Sequence, residues 1–196
     1  MIFGLAGKSC SGKNEVARIL ESRGWKTLDM DLMAHQVLEE LAGEAAGLFG
    51  SGILSSDGGV DRQVLGRIVF SDPRQLARLE ELIYPVLHRK LEEEIAGLPA
   101  GGPPLVVNAA ALQKGDFWRR CDGIIWVAAP WPVRLLRAAG RDGRSLTDLL
   151  RRFRSQKELK PQYFFSRVDT YTITNAGSRK GLNRRVQHWI QSLSLE

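Results

Sequence analysis

Cysteine is scarce in this chain: Cys10 and Cys121 are the only two among 196 residues. Two thiols so far apart make no disulfide framework, and His35, His88 and His188 form no metal-ligand spacing with them, so no zinc site is expected. No uninterrupted apolar run reaches the length of a membrane span, and the first residues enter a strand pattern without signal-peptide organisation. The expected setting is cytosolic, with no membrane partner. RNP-like aromatic motifs and zinc fingers are also missing, which removes the usual grounds for nucleic-acid binding. Acids are outnumbered, 22 against 28 lysines and arginines, and the formal charge of +6 suits an anionic partner such as a phosphorylated metabolite. Repeats and low-complexity segments are absent too, and a chain of this length is expected to form one domain with insertions, as a monomer.

What is present begins almost at the N-terminus. Ile2-Phe3-Gly4-Leu5-Ala6 reads as a buried strand, and Val16, Ala17, Ile19 and Leu20 are spaced as one face of a helix. Between them Gly7-Lys8-Ser9-Cys10-Ser11-Gly12-Lys13-Asn14 fits GxxxxGK, the phosphate-loop pattern. Glycines there let backbone N–H groups turn inward around a phosphate, and the helix N-terminus adds partial positive charge. Lys13 is then placed to reach the β- and γ-phosphates. A glycine turn that binds nothing is the plainer alternative; the strand before, the helix after and the lysine in register favour the phosphate loop. Position 14 departs from the pattern. A Ser or Thr hydroxyl would ligate Mg²⁺ there, whereas Asn14 offers a carboxamide oxygen on a longer side chain. Cys10 sits among inward N–H groups that favour a thiolate, although a small side chain tolerated in a backbone-built site explains it more simply.

Further along, the first helix is expected to stop at Gly24 and a second strand to run from Trp25 to Asp29. It leads into Asp29-Met30-Asp31, at the strand end where open parallel sheets place ligands. Asp31 either caps the following helix, which carries Val37, Leu38 and Leu41, or serves as proton acceptor or Mg²⁺ holder beside the loop. Residues 43–61 read as loops and turns. Asp72 and Pro73 start a new helix, and Pro85 is expected to break or kink it. Leu105–Asn108, Gly123–Ala128 and Thr170–Thr174 are the remaining strands, the first ending in Asn108 where an acid often orients Mg²⁺. The turn at Asn175-Ala176-Gly177 is expected beside the adenine, and Leu182, Val186, Trp189, Ile190 and Leu193 make a closing amphipathic helix.

Strands alternating with helices give an α/β fold with a doubly wound, five-stranded parallel sheet. The expected layout is one domain over 1–196: a core of about 1–34, 103–143 and 167–196, a helical substrate-binding insertion of about 35–98, and an arginine-rich lid of about 144–163. Arg134, Arg137, Arg141, Arg144, Arg151, Arg152 and Arg154 cluster near that lid. Arg144, Arg151 and Arg154 read as a solvated face. Arg137, Arg141 and Arg152 are candidates to neutralise a transferring phosphoryl group.

Together these stretches resemble the dephospho-CoA kinase family: GLAGKSCSGKNEVA at 4–17, DMDLMAHQV at 29–37, VDRQVLGRIVFSDP at 60–73, LEELIYP at 79–85, RLLRAAGRD at 134–142, RFRSQ at 152–156 and VDTYTITNAG at 168–177. The resemblance implies a P-loop nucleotide kinase-like fold and Mg²⁺- and ATP-dependent phosphorylation of the ribose 3′-hydroxyl of dephospho-CoA. By position it implies Asp31 as base, His35 and Tyr84 on the substrate side, Gly7 to Asn14 as the phosphate loop, Arg137, Arg141 and Arg152 as lid arginines, and Asn175 near the adenine. Asn14 falls at the metal position, and Asn14, Tyr84 and Asn108 depart from the family's usual residues. The alternatives are a kinase for another small metabolite or nucleoside, and a nucleotide-binding module without transfer chemistry.

Overall fold

A computed structural model describes residues 1–110, 112, 117–142, 153, 161–165 and 168–193. It divides into two compact units, Met1–Asp29 with Pro103–Glu196, and Met30–Gly102. The second unit thus begins at Met30 and ends at Gly102, a few residues outside the 35–98 insertion expected from the sequence.

In the first unit the strands are β1 (Ile2–Ala6), β2 (Lys26–Asp29), β3 (Leu105–Asn108), β4 (Gly123–Ala128) and β5 (Thr170–Thr174). They form one sheet in the order β2-β3-β1-β4-β5, parallel throughout. The fold is therefore α/β with the expected five-stranded parallel sheet. β3 and β4 are buried almost continuously, as strands covered on both faces must be. The register sets Leu5 and Asp29 on either side of Asn108, so β1, β2 and β3 end level with one another. That alignment delivers three strand ends to one edge, where the phosphate loop begins.

Helix α1 (Lys13–Glu21) buries Val16, Ala17, Ile19 and Leu20 against the sheet core, beside Phe3, Val106 and Ile125. It stops at Glu21 rather than at Gly24. Gly24 instead takes φ +85° in the turn, where its N–H reaches Glu21 O and Trp25 N–H reaches Leu20 O. Trp25 then joins Phe3, Tyr171 and Trp189 in an aromatic cluster with ring centroids 5.3–6.3 Å apart. Helix α6 (Trp131–Asp142) follows β4, and α7 (Arg179–Leu193) closes the unit through Leu182, Val186 and Trp189.

The second unit is helical: α2 (Met30–Glu40), α3 (Ala42–Phe49), α4 (Arg62–Ser71) and α5 (Pro73–Ala96). Its core gathers Val37, Leu38, Ala45, Ile53, Leu65, Val69, Ile83 and Leu87. Two expectations are corrected here. Residues 42–49 form a helix, because Ala42, Ala45, Ala46 and Phe49 recur at helical spacing toward the core, while Gly43 and Gly47 face open space and cost no packing. Of the break or kink expected at Pro85, the break does not occur: the proline is exposed, and burial of Ile83, Leu87 and Leu91 holds the helix continuous through it, as their i+4 spacing implied. Asp61 and Asp72 cap α4 and α5 through their carboxylates, and Pro73 occupies the first turn as expected. Among the described residues no helix is long and apolar enough to cross a membrane.

Candidate active site

The phosphate loop is defined by where its carbonyls go. Gly7 O accepts from Lys13 Nζ at 3.2 Å and Lys8 O from Ser11 N–H at 3.1 Å. Ser9 O accepts from Arg134 Nε at 2.8 Å. Arg137 Nη1 donates to Cys10 O at 3.4 Å and to Ser11 O at 3.2 Å, and Asn175 Nδ2 also donates to Ser11 O at 2.8 Å. Gly12 O accepts from the first turn of α1. Every carbonyl from Gly7 to Gly12 is thus engaged. Across a trans peptide the N–H points opposite to the C=O, so holding Ser9 O and Ser11 O on one side turns the Cys10 and Gly12 N–H groups to the other. Those two N–H groups make no hydrogen bond among the described residues.

Glycine is required at two loop positions. At Gly7, with φ +153°, a Cβ would stand 2.5 Å from Val127 O, and at Gly12, with φ +95°, it would collide with the Asn175 amide. Gly12 is also the N-cap of α1 and supplies no capping side chain, so the helix N-terminus is left open to an anion. Cys10 is a non-glycine residue at φ +60°, a strained conformation of the sort that concentrates at ligand-binding loops.

Arg137 is half-buried, and its second nitrogen also holds Asn175 O at 3.2 Å and Asn175 Oδ1 at 3.1 Å. The arginine expected in a lid is here a brace of the loop, and the Asn175 carboxamide serves the same brace. The side chain of Arg141 and all of Arg152 lie outside the described residues, as does most of the expected lid.

At the strand ends, Asn108 Nδ2 donates to Asn14 Oδ1 at 3.2 Å and to Asp29 Oδ2 at 3.4 Å. Asn108 is buried and its Oδ1 has no hydrogen-bond partner. Three buried side-chain atoms without a hydrogen-bond partner among the described residues belong here: Ser11 Oγ, Asn108 Oδ1 and Arg134 Nη2. Unpaired polar atoms are normally rare and scattered; this concentration marks a place built for a polar ligand. Asp29, Asn108 and Asn14 offer only oxygen acceptors once the Asn108 amide turns, a donor set that fits a hard cation such as Mg²⁺.

The second unit carries the substrate-side candidates. Asp31 lies within the first turn of α2 rather than at its cap, with His35 exposed one turn later on the same face. Tyr84 on α5 stacks on His88 at 5.9 Å. Burial, then the charges of Glu80 and Asp31, push the Tyr84 hydroxyl up to about 12, so it stays protonated and can donate a hydrogen bond. Asp31 and Tyr84 therefore lie within electrostatic reach of each other.

Arg134, Asp29 and His88 were not singled out from sequence. Asp29 was signalled by its place at a strand end and His88 by its i+4 spacing from Tyr84. Arg134 stood in the sequence only as one member of the arginine cluster.

Comparison with known proteins then decides the family. The family model for dephospho-CoA kinase matches residues 1–180. The chain belongs to the dephospho-CoA kinase family. The dephospho-CoA kinase of Treponema denticola is 35% identical over 194 residues, covering 95% of this chain and 87% of the relative. That of Thermus thermophilus is 34% identical over 195 residues, covering 99% and 92%. A solved Thermus thermophilus structure superposes with a TM-score of 0.83 at 33% identity, covering 98% of this chain and 97% of the other. The fold is shared more widely: the shikimate kinase of Acinetobacter baumannii matches with a TM-score of 0.54 at 18% identity, over 100% of this chain and 95% of that one. A member of this family is a phosphotransferase, in keeping with a phosphate loop whose carbonyls are all engaged.

Proposed function

We propose that this chain transfers the γ-phosphoryl group of ATP to the ribose 3′-hydroxyl of dephospho-CoA, giving coenzyme A and ADP. The observation that carries the proposal is the phosphate loop, with its six consecutive carbonyls engaged, three of them by Arg134, Arg137 and Asn175, and the Cys10 and Gly12 N–H groups left for phosphate oxygens. In this reading Asp31 takes the 3′-hydroxyl proton as the oxygen attacks the γ-phosphorus in line and ADP leaves. Lys13 exchanges Gly7 O for the phosphates, and Arg137, Arg141 and Arg152 add positive charge. His35 and Tyr84 hold the acceptor, and the turn after Asn175 lies by the adenine. The enzyme works in the cytoplasm as a monomer.

Mg²⁺, when bound, neutralises charge on the phosphate oxygens; Asn14, Asp29 and Asn108 are the residues that would hold it. Asn14 is the weak point of that set, because its oxygen already accepts from Asn108. Asn14→Ser frees the Asn108 amide and shortens the donor, and is expected to lower the Mg²⁺ concentration for half-maximal rate by about tenfold. A magnesium titration of the variant that overlays the parent's would place the ion on other groups.

The deciding experiment is ADP release with ATP, Mg²⁺ and dephospho-CoA, with Lys13→Ala as the blank. Acceptor-dependent release that disappears in the blank is the expected result. No release from folded, ATP-binding protein would turn the assignment toward another acceptor or a binding module.

A further inference from the structure

Arg134 is an arginine in an unusual place. It is 6% exposed on α6, whereas Leu136 two residues on is 74% exposed. Its Nε donates to Ser9 O at 2.8 Å, and its guanidinium lies 4.5 Å over the ring of Phe153, itself buried. Its Nη2 is buried without a hydrogen-bond partner, and no carboxylate pairs with it among the described residues. Burial pulls its pKa down from the ordinary arginine value, yet a guanidinium does not give up its proton in a protein. A buried cation without an anion is costly to keep.

Two features of the loop explain why it is kept. Arg134 holds the Ser9 carbonyl, and through the trans peptide this sets the direction of the Cys10 N–H, one of the two loop amides left unpaired. The same side chain places a positive charge, with no carboxylate partner among the described residues, behind the loop. A polyphosphate in the cradle supplies the missing negative charge, in a surrounding where screening by water is weak. Packing alone does not explain an Nη2 that is unused, or a cation without a carboxylate, among the described residues.

We infer that Arg134 is a positioning residue for the nucleotide triphosphate: it fixes the Ser9–Cys10 peptide in its anion-binding orientation and supplies a buried positive charge behind the loop that bound polyphosphate would offset. The inference deepens the kinase proposal and rests on its use of ATP. It differs from a structural role in one measurable way. A residue that mainly supports the fold lowers stability when removed, whereas a buried, unneutralised charge can be replaced by an apolar side chain at little cost to the free protein.

The test compares Arg134→Met and Arg134→Lys with the parent by calorimetric ATP binding, thermal unfolding without nucleotide, and steady-state kinetics. Arg134→Met is expected to weaken ATP binding about 10–100-fold, the loss typical of a charge-assisted hydrogen bond. Its nucleotide-free unfolding midpoint is expected to stay within about 3 °C of the parent. The KM for dephospho-CoA should be unaltered, and Arg134→Lys, which restores charge and a donor, should recover most of the lost affinity. Parental ATP affinity in Arg134→Met overturns the inference. So does a fall in ATP affinity matched by a lowered midpoint and a raised KM for both substrates, which is the structural outcome. A parent that binds ATP but releases no ADP with dephospho-CoA would sink the kinase reading, while the effect of Arg134 on ATP binding would still be read directly.

Discussion

Lys13→Ala is expected to lower kcat by about 10²–10³-fold, the usual consequence of removing one preorganised donor from a developing charge. The loop geometry makes this a clean deletion. Lys13 Nζ donates to Gly7 O at 3.2 Å, and the other five carbonyls are held by groups the substitution does not touch. The backbone cradle therefore survives and still binds nucleotide, while the charge that follows the γ-phosphoryl group is lost. Lys13→Arg should not rescue the rate, because a planar fork does not replace a compact point charge at this position. The check is single-turnover ADP formation with ATP and dephospho-CoA saturating. A variant within a few-fold of the parent would show that this lysine is an anchor of Gly7 and not a phosphate ligand.

Asp31→Asn should act on a different term. Asparagine preserves size and polarity but accepts no proton, and loss of a positioned base typically costs about 10²–10⁴-fold in rate. Asp31 stands in the first turn of α2, where the helix dipole favours a carboxylate, and within electrostatic reach of Tyr84, whose hydroxyl stays protonated beside it. ATP affinity is expected to hold within about twofold while kcat collapses, the pattern of an interaction made in the transition state. Calorimetry for ATP and initial rates with dephospho-CoA separate the two. Unchanged turnover would remove Asp31 from the mechanism, and a parallel loss of ATP binding would make it a nucleotide contact.

Lys13 and Asp31 carry different kinds of signal in the sequence. Lys13 belongs to an unbroken local pattern: apolar strand, glycine loop, apolar helix face. Such patterns survive folding because strand burial, glycine conformations and helix capping are decided by neighbours in the chain. The five strands, the Asp72–Pro73 helix start and the closing helix were legible for the same reason. Pro85 and residues 42–49 were not. A proline's cost and a glycine's cost are local, but the burial of Ile83, Leu87, Ala45 and Phe49 in a shared core outweighs both, and no window of sequence shows that core.

By itself the sequence determined the α/β order of elements, the phosphate loop and the family, since each rests on residues adjacent in the chain or spaced at a fixed period. Only the tertiary structure decided which side chains serve that loop. Hydrophobicity alone would bury Leu136 and expose Arg134; the reverse holds because the loop carbonyls, turned from the cradle, need buried donors, and α6 is the element that passes behind them. In the same way Asn14, Asp29 and Asn108 are separated by long stretches of chain and meet only through the sheet register, which sets Asp29 opposite Asn108 at the strand ends. Contacts of that kind are set by packing and register, which no stretch of sequence contains.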